Sequence, residues 1–270
     1  MVILYVAEIV GKAGVFAVKQ GLPELKKRKR IDFVIANADG ATGGGGLGRN
    51  HAAYLRKLGL HILTLGECAF YKKDLVETID KMPYVLRPGN LSSEAPGYGS
   101  YIYKLGEVKI AVAVIIGQSG FSRMHGDNPA ALLPSLLERL HKETPIVIVD
   151  FHAGATAEKR TLFAVADGLC TAVIGSHTRV QTADEAVSPK GTAVITDAGR
   201  TGSVESVGGA DAQTCIQEYL TGIPDWTKET WAKLELQGVL LDVNKNGKAL
   251  SIERVRLPVM GKEDHEGQNP

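Results

Sequence analysis

Short apolar, β-branched runs alternate along the chain with stretches whose apolar residues recur at helical spacing. "VILYVA" (residues 2–7) predicts a first strand, and "VFAVKQGLPELKKRKR" (15–30) a helix interrupted near Gly21 and Pro23. "DFVIAN" (32–37) predicts a second strand, "RNHAAYLRKLG" a helix ending at Gly59, and "LHILTL" (60–65) a third strand. "KKDLVETIDKM" predicts a helix ending before Pro83. "GSYIYKL" and "VKIAVAVII" form an antiparallel pair about Gly106-Glu107, followed by a helix with Asn128 as cap and Pro129 in its first turn. "PIVIVDF", "TAVIGS" and "TAVITD" are further buried strands, the first two separated by a helix around "AEKRTLFAVADG". "KLELQGVLLDVN" and "ALSIERVRL" alternate as a hairpin across Asn246-Gly247.

Strands alternating with helices predict an α/β protein with helices on both faces of a sheet. No repeat or long linker divides the chain, so residues 1–258 are expected to form a single domain. Residues 259–270, rich in charge, Gly and Pro, are expected to be a flexible tail.

Composition narrows the function classes. The 270 residues are 44% hydrophobic and 23% charged, with net charge +1. That balance gives no electrostatic case for nucleic acid or an anionic membrane as partner. The one basic run, "KKRKR" (Lys26 to Arg30), reads as a helix C-terminus, where cations complement the helix dipole. Cys68, Cys170 and Cys215 form no CxxC pair, which argues against a zinc ribbon or disulfide framework. Free thiols fit a reducing cytoplasm. The N-terminal apolar run is too short for a signal peptide, and no run approaches the ~18 apolar residues of a membrane span.

Polar side chains follow six strands directly: Glu8, Asp39, Glu67 with Cys68, Asp150 with His152, His177, and Asp197. An acid in such a position is ordinarily a helix cap or a solvated turn, and a lone histidine ordinarily structural. Six together at the carboxyl ends of strands, where α/β sheets bind ligands, predict a site. Carboxylates and imidazoles without a cysteine pair suit Mn, Fe, Mg or Zn held for hydrolysis. "GGGGLG" (43–48) imitates a dinucleotide-binding fingerprint, but its first glycine lies six residues beyond the strand end, where the true motif forms the strand–helix turn itself. A glycine loop approaching a ligand is the better reading.

Several segments resemble the YmdB-like family of calcineurin-type metallophosphoesterases. They are "GKAG", "DFVIANADGATGG", "ILTLGE", "LRPGN", "PGYG", "VDFHAGATAEK", "IGSHTRVQTADE" and "ITDAGRTG", in order through most of the chain. The resemblance implies a four-layer α/β/β/α sandwich, a two-metal site, and hydrolysis of phosphodiesters such as 2′,3′-cyclic nucleotides. Against the family pattern, Ala7-Glu8 replaces Gly-Asp, Asn37-Ala38-Asp39-Gly40 replaces Asn-Gly-Glu-Asn, and Gly66-Glu67-Cys68 replaces Gly-Asn-His. Glu67 thus stands where the family has a metal-binding Asn, and Cys68 where it has the catalytic His. His152 and His177 match family ligands, Arg179 replaces a further ligand His, and Gly154 replaces a Glu.

Sorted by metal, Asp39, Glu67, His152 and His177 are all competent ligands for one ion. Glu8, Asp39 and Arg179 are not, because a guanidinium cannot ligate a cation. The expectation is therefore one divalent transition metal (Mn, Fe or Zn), no second metal, and Arg179 paired with Glu8 in its place. Cys68 is a poor general acid, so weak cyclic-nucleotide phosphodiesterase activity is expected. The alternatives are that Cys68 merely fills the space of an imidazole, and that the protein is a non-catalytic binding or scaffolding relative. A nucleotide or other phosphodiester is the expected small-molecule partner, and a homo-oligomer is compatible with the sequence.

Overall fold

Along the first strand, Val2–Val6, Ile3 and Tyr5 face one way and Leu4 and Val6 the other, and all four are buried. Each set joins a different core. The computed structural model describes residues 1–226 and 228–260. In chain order the elements are β1 (Val2–Val6), β2 (Glu8–Ile9), α1 (Gly11–Lys29), β3 (Phe33–Asn37), α2 (Arg49–Lys57), β4 (Ile62–Thr64), α3 (Lys73–Val76), a 3₁₀ turn Ile79–Lys81, β5 (Val85–Leu86), β6 (Ser100–Leu105) and β7 (Val108–Ile116). They continue with α4 (Pro129–His141), β8 (Val147–His152), α5 (Thr156–Ala166), β9 (Ala172–Ser176), β10 (Ala186–Val187), β11 (Ala193–Ile195), β12 (Arg200–Ser203), α6 (Ala212–Thr221), β13 (Leu234–Val243) and β14 (Ala249–Val259).

One sheet runs β2-β12-β13-β1-β3-β4-β5, with β14 also on β13; the other runs β10-β11-β9-β8-β7-β6. Between them lie Ile3, Tyr5, Phe33 and Ile35 of the first sheet and Ile110, Val112, Ile148 and Ile174 of the second. Leu4, Val6 and Val34 pack outward with Val18, Leu22 and Leu25 of α1 and Leu55 of α2. Ala113, Val147 and Phe151 pack outward with Leu133, Leu137 and Leu140 of α4 and Leu162 of α5. The result is a four-layer α/β/β/α sandwich. Apolar patterning alone predicts one sheet with helices on both faces. A strand buried on both sides reads the same whether the second cover is a helix or another sheet, so that reading is corrected to two sheets with helices outside each.

Two helix expectations also change. α1 starts at Gly11 and continues through Gly21 and Pro23 without interruption. A Cβ on Gly21 would lie 3.2–3.3 Å from Leu257, Leu236 and Val259, so the missing side chain lets α1 sit close on the sheet. An interior proline costs about 3 kcal/mol, but the neighbouring Leu22 and Leu25 are fully buried, each worth about 1.5–3 kcal/mol. The stretch 72–82 instead breaks after one turn. The Thr78 hydroxyl bonds back to the carbonyls of Asp74 (2.8 Å) and Leu75 (3.2 Å), competing with helix continuation. β14 extends through Val259, one residue into the stretch expected as a tail; residues 261–270 of that stretch lie outside the described residues.

The basic run closes α1, with Lys26 to Lys29 in its last turn and Lys29 paired to Glu253. Among the described residues no helix is long and apolar enough to cross a membrane.

Candidate metal centre

The parallel strands β1, β3 and β4 of one sheet and β8 and β9 of the other end at a common edge, where the loops after them meet. Asp39, two residues past β3, is fully buried. Its carboxylate accepts the N–H of Gly66 (2.7 Å) on one oxygen and that of Cys68 (3.1 Å) on the other. Asp39 is itself positioned by its own N–H, which donates to the Asn37 side chain at 3.0 Å. Two loops are thereby tied together, and the turn after β4 presents Glu67 to the histidines. Gly66 is needed there, because a Cβ would collide with the His152 ring.

Glu67 contacts His152 Nε2 through Oε2 and lies 3.2 Å from His177 Nδ1 through Oε1. Asp39 Oδ2 is 3.8 Å from His152 Nε2. Ligand atoms of Glu67, His152 and His177 all lie within 4.8 Å of one another, as do those of Asp39, Glu67 and Cys68. Glu67 belongs to both groups.

His152 closes β8, and its orientation is set from behind. Ser176 Oγ lies 2.9 Å from His152 Nδ1 and 2.6 Å from Asp150 Oδ1. The carboxylate only accepts, so the single hydroxyl hydrogen goes to Asp150 and Ser176 accepts from Nδ1–H. In the neutral ring this leaves the Nε2 lone pair toward Glu67, the arrangement that metal-binding histidines adopt. Phe121 covers the two imidazoles, 5.0 Å from the His177 ring and 6.0 Å from the His152 ring between centroids.

Asp150 itself does not reach the edge, as its place after "PIVIV" suggests. It lies within β8, facing the other sheet, and accepts from Tyr5 (2.6 Å), Asn37 (3.2 Å), Thr64 and Ser176. Asp197 is also turned away. It pairs with buried Lys159 at 3.0 Å and accepts from the N–H (2.9 Å) and hydroxyl (2.8 Å) of Thr178. The flanking residues His177 and Arg179 hold positive φ of 99° and 60°. Such backbone costs energy in residues with side chains and persists where surroundings enforce it; Asp197 supplies that enforcement here.

Arg179 leaves this turn in the opposite direction. Its Nε and Nη2 donate to Glu8 Oε1 at 2.9 and 2.6 Å. Nη2 also donates to the Gly44 carbonyl (2.9 Å) and Nη1 to that of Gly208 (3.0 Å). The glycine run 43–48 is therefore a wall of the site: Gly44 receives Arg179, and a Cβ on Gly45 would sit 3.8 Å from Cys68 Sγ.

The charges respond to this crowding. Burial raises Asp39, opposed by His152 and reinforced by Glu67 and Glu8, to about 7. Burial alone would lower His152; the bond and charge of Glu67, with Asp39 and Glu8 beyond, outweigh it and raise the ring to about 9. Glu67, though burial opposes it, is held well below the usual carboxylate range by the two imidazoles. Burial, then Asp39, Glu67 and Glu8, pushes the Cys68 thiol up. Burial disfavours the Arg179 charge, but Glu8 outweighs it and raises the group.

The donor set fits a cation: two imidazoles and a carboxylate converge, one ring has its tautomer fixed from behind, and a second carboxylate stands 3.8 Å away. Of the residues singled out from sequence, Asp39, Glu67, Cys68, His152 and His177 are brought together, and Glu8 lies beside them under Arg179. Asn37, Ser176 and Phe121 were missed; Ser176 alone carried a signal, adjoining His177 at a strand end.

The chain is similar to known proteins along most of its length. A family model described as "YmdB-like protein" matches residues 4–255. A 2′,3′-cyclic-nucleotide 2′-phosphodiesterase of Bacillus subtilis (strain 168) is 36% identical over 256 residues, covering 94% of this chain and 96% of its own. The crystal structure of a phosphatase from Mycoplasma pneumoniae superposes with TM-score 0.89 at 31% identity, covering 100% of this chain and 97% of that one. A 5′-nucleotidase precursor from Thermus thermophilus shares the fold alone, with TM-score 0.58 at 10% identity over 97% of this chain and 55% of its own.

Proposed function

The chain belongs to the YmdB-like protein family, and from that premise we propose that it is a one-metal phosphodiesterase acting, weakly, on a nucleotide-type phosphodiester. The observation that carries this reading is the convergence of Glu67, His152 and His177. Residues 1–258 would act as one domain, in the cytoplasm, where its free thiols remain reduced.

Asp39, Glu67, His152 and His177 would hold one divalent Mn, Fe or Zn ion. Bound there, it would polarise a phosphoryl oxygen and offset charge developing on the ester. The protein's own residues prepare that position. Ser176 keeps the His152 lone pair forward, Asp39 holds the Gly66–Cys68 turn, and Phe121 lies against both imidazoles. Arg179 supplies a fixed positive charge beside Glu8, where the resemblance implies a second ion. Cys68 stands where it implies the proton donor. General acid–base help is typically worth ~10²–10⁴-fold, which is the loss expected against a full two-metal relative.

The Arg179–Glu8 pair also favours a second reading, a non-catalytic protein that kept the fold. Elemental analysis of the purified protein, with a hydrolysis assay on 2′,3′-cyclic AMP, separates the two. One ion per chain with slow turnover that His152→Ala abolishes supports the phosphodiesterase. Two tightly bound ions per chain would overturn the one-metal assignment. No ion and no turnover after incubation with Mn²⁺ would leave the non-catalytic reading.

A further inference from the structure

We propose that Cys68 is itself a ligand, so that the cation held by Glu67, His152 and His177 is bound through a thiolate as well as through nitrogen and oxygen. The inference rests on the metal-centre reading above and concerns which donors complete it. Cys68 Sγ lies within 4.8 Å of carboxylate oxygens of both Asp39 and Glu67, and Glu67 is also a member of the imidazole group. The sulfur is therefore joined to the imidazole group through Glu67, the residue that the two groups share.

Its position is fixed on three sides. The Cys68 N–H is bound by Asp39, the Gly66 N–H by the same carboxylate, and Gly66 abuts the His152 ring. The side chain is 8% exposed, with Gly45 across the loop. Those contacts fix the turn, and what points to a ligand is the place of the sulfur among carboxylate oxygens of Asp39 and Glu67. Cys170, by contrast, is buried in an apolar cluster with Leu162 and Val173 and belongs to no such group of ligand side chains among the described residues.

The chemistry follows from the donor set. On binding, the S–H bond breaks, a sulfur–metal bond forms and the proton passes to solvent. Adding a thiolate to the two imidazoles and the carboxylates of Glu67 and Asp39 suits Zn²⁺ or Co²⁺, whereas carboxylate and water sites suit Mn²⁺ or Mg²⁺. The departure from histidine at position 68 would thus change the class of ion accepted.

Cobalt(II) titration of the metal-stripped, full-length protein tests this. The expected parent spectrum has visible d–d bands together with a near-ultraviolet sulfur-to-cobalt charge-transfer band. Cys68→Ser, and Cys68→Ala as a second variant, should lose the charge-transfer band while keeping the d–d bands; Cys215→Ser should keep both. Parent protein showing d–d bands without charge transfer would overturn the thiolate ligand and leave the metal centre standing. So would a charge-transfer band that survives in Cys68→Ser. Absence of any cobalt signal in the parent would bring down the metal-centre reading and this inference with it. Cys68→Ala gives the same reading should Cys68→Ser fail to fold, and a parent spectrum without charge transfer overturns the thiolate ligand whatever the variants do.

Discussion

Two clusters of charge lie side by side at the edge of the sandwich. In one, Glu67 faces His152 and His177, groups that can exchange a proton for a metal ion. In the other, Glu8 faces Arg179, a permanently charged fork that can do neither. Both neutralise carboxylates, the half-buried Glu67 in the first and the buried Glu8 in the second. The first does so with side chains that can release the site to a cation, the second with one that closes it. Arg179 reinforces the closure by committing its remaining donors to Gly44 and Gly208. A cluster with the donors for an ion and an internal ion pair thus stand on one turn, and the side chains it carries, His177 and Arg179, set them apart.

The contrast predicts unequal responses. The largest is for His152→Ala, which should abolish stable metal retention, at least about 100-fold weaker binding, beyond the range for outer-shell partners. Equilibrium dialysis against Zn²⁺ or Mn²⁺ checks it; retained affinity would mean that the imidazole cluster is not the site. Next, Arg179→Ala should leave metal binding almost intact and lower unfolding stability by about 2–4 kcal/mol. Removing one partner of a buried pair costs ~3–5 kcal/mol, discounted here because Arg179 is 23% exposed while Glu8 is 2% exposed. Urea denaturation showing stability within about 0.5 kcal/mol of the parent would remove the distinction between the clusters.

Ser176→Ala addresses the ion-binding cluster more gently. It keeps the ligands but frees the His152 tautomer, and should weaken metal binding by about 10-fold, read by the same dialysis. An unchanged affinity would show that the Asp150–Ser176 support is idle. The smallest effect concerns the closed cluster. A Cβ on Gly40 would lie 2.9 Å from both Arg179 Nη2 and Glu8 Oε1, so Gly40→Ala should cost about 1 kcal/mol through displaced packing. A neutral result in thermal unfolding would show that the pair has slack.

Much of this was legible in the sequence, for identifiable reasons. Buried strands announce themselves as apolar runs, and Glu67 with Cys68 stood out because an acid and a thiol end one. The two-sheet arrangement was legible only through the family resemblance, since periodicity does not report what covers a strand. Tyr5, Asn37 and Thr64 gave no signal. Polar groups inside strands look like interruptions until Asp150, on the opposite sheet, is seen to collect them. Pairing Glu8 with Arg179, 171 residues apart, needed the argument that a lost ion leaves acids facing one another. The two-residue strands β2, β5 and β10 are too short to carry a pattern, and β12, Arg-Thr-Gly-Ser, has no apolar residue to show one. In α6, Tyr219 and Leu220 are exposed, so its apolar residues do not mark a single buried face.

The turn from Ser176 to Arg179 makes the two clusters share one piece of backbone. Four consecutive residues attend to both clusters: Ser176 steadies His152, His177 meets Glu67, Thr178 is pinned by Asp197, and Arg179 crosses to Glu8. Shortening this loop would disturb both clusters at once, whereas exchanging one side chain on the same backbone changes one cluster and leaves the other its partners.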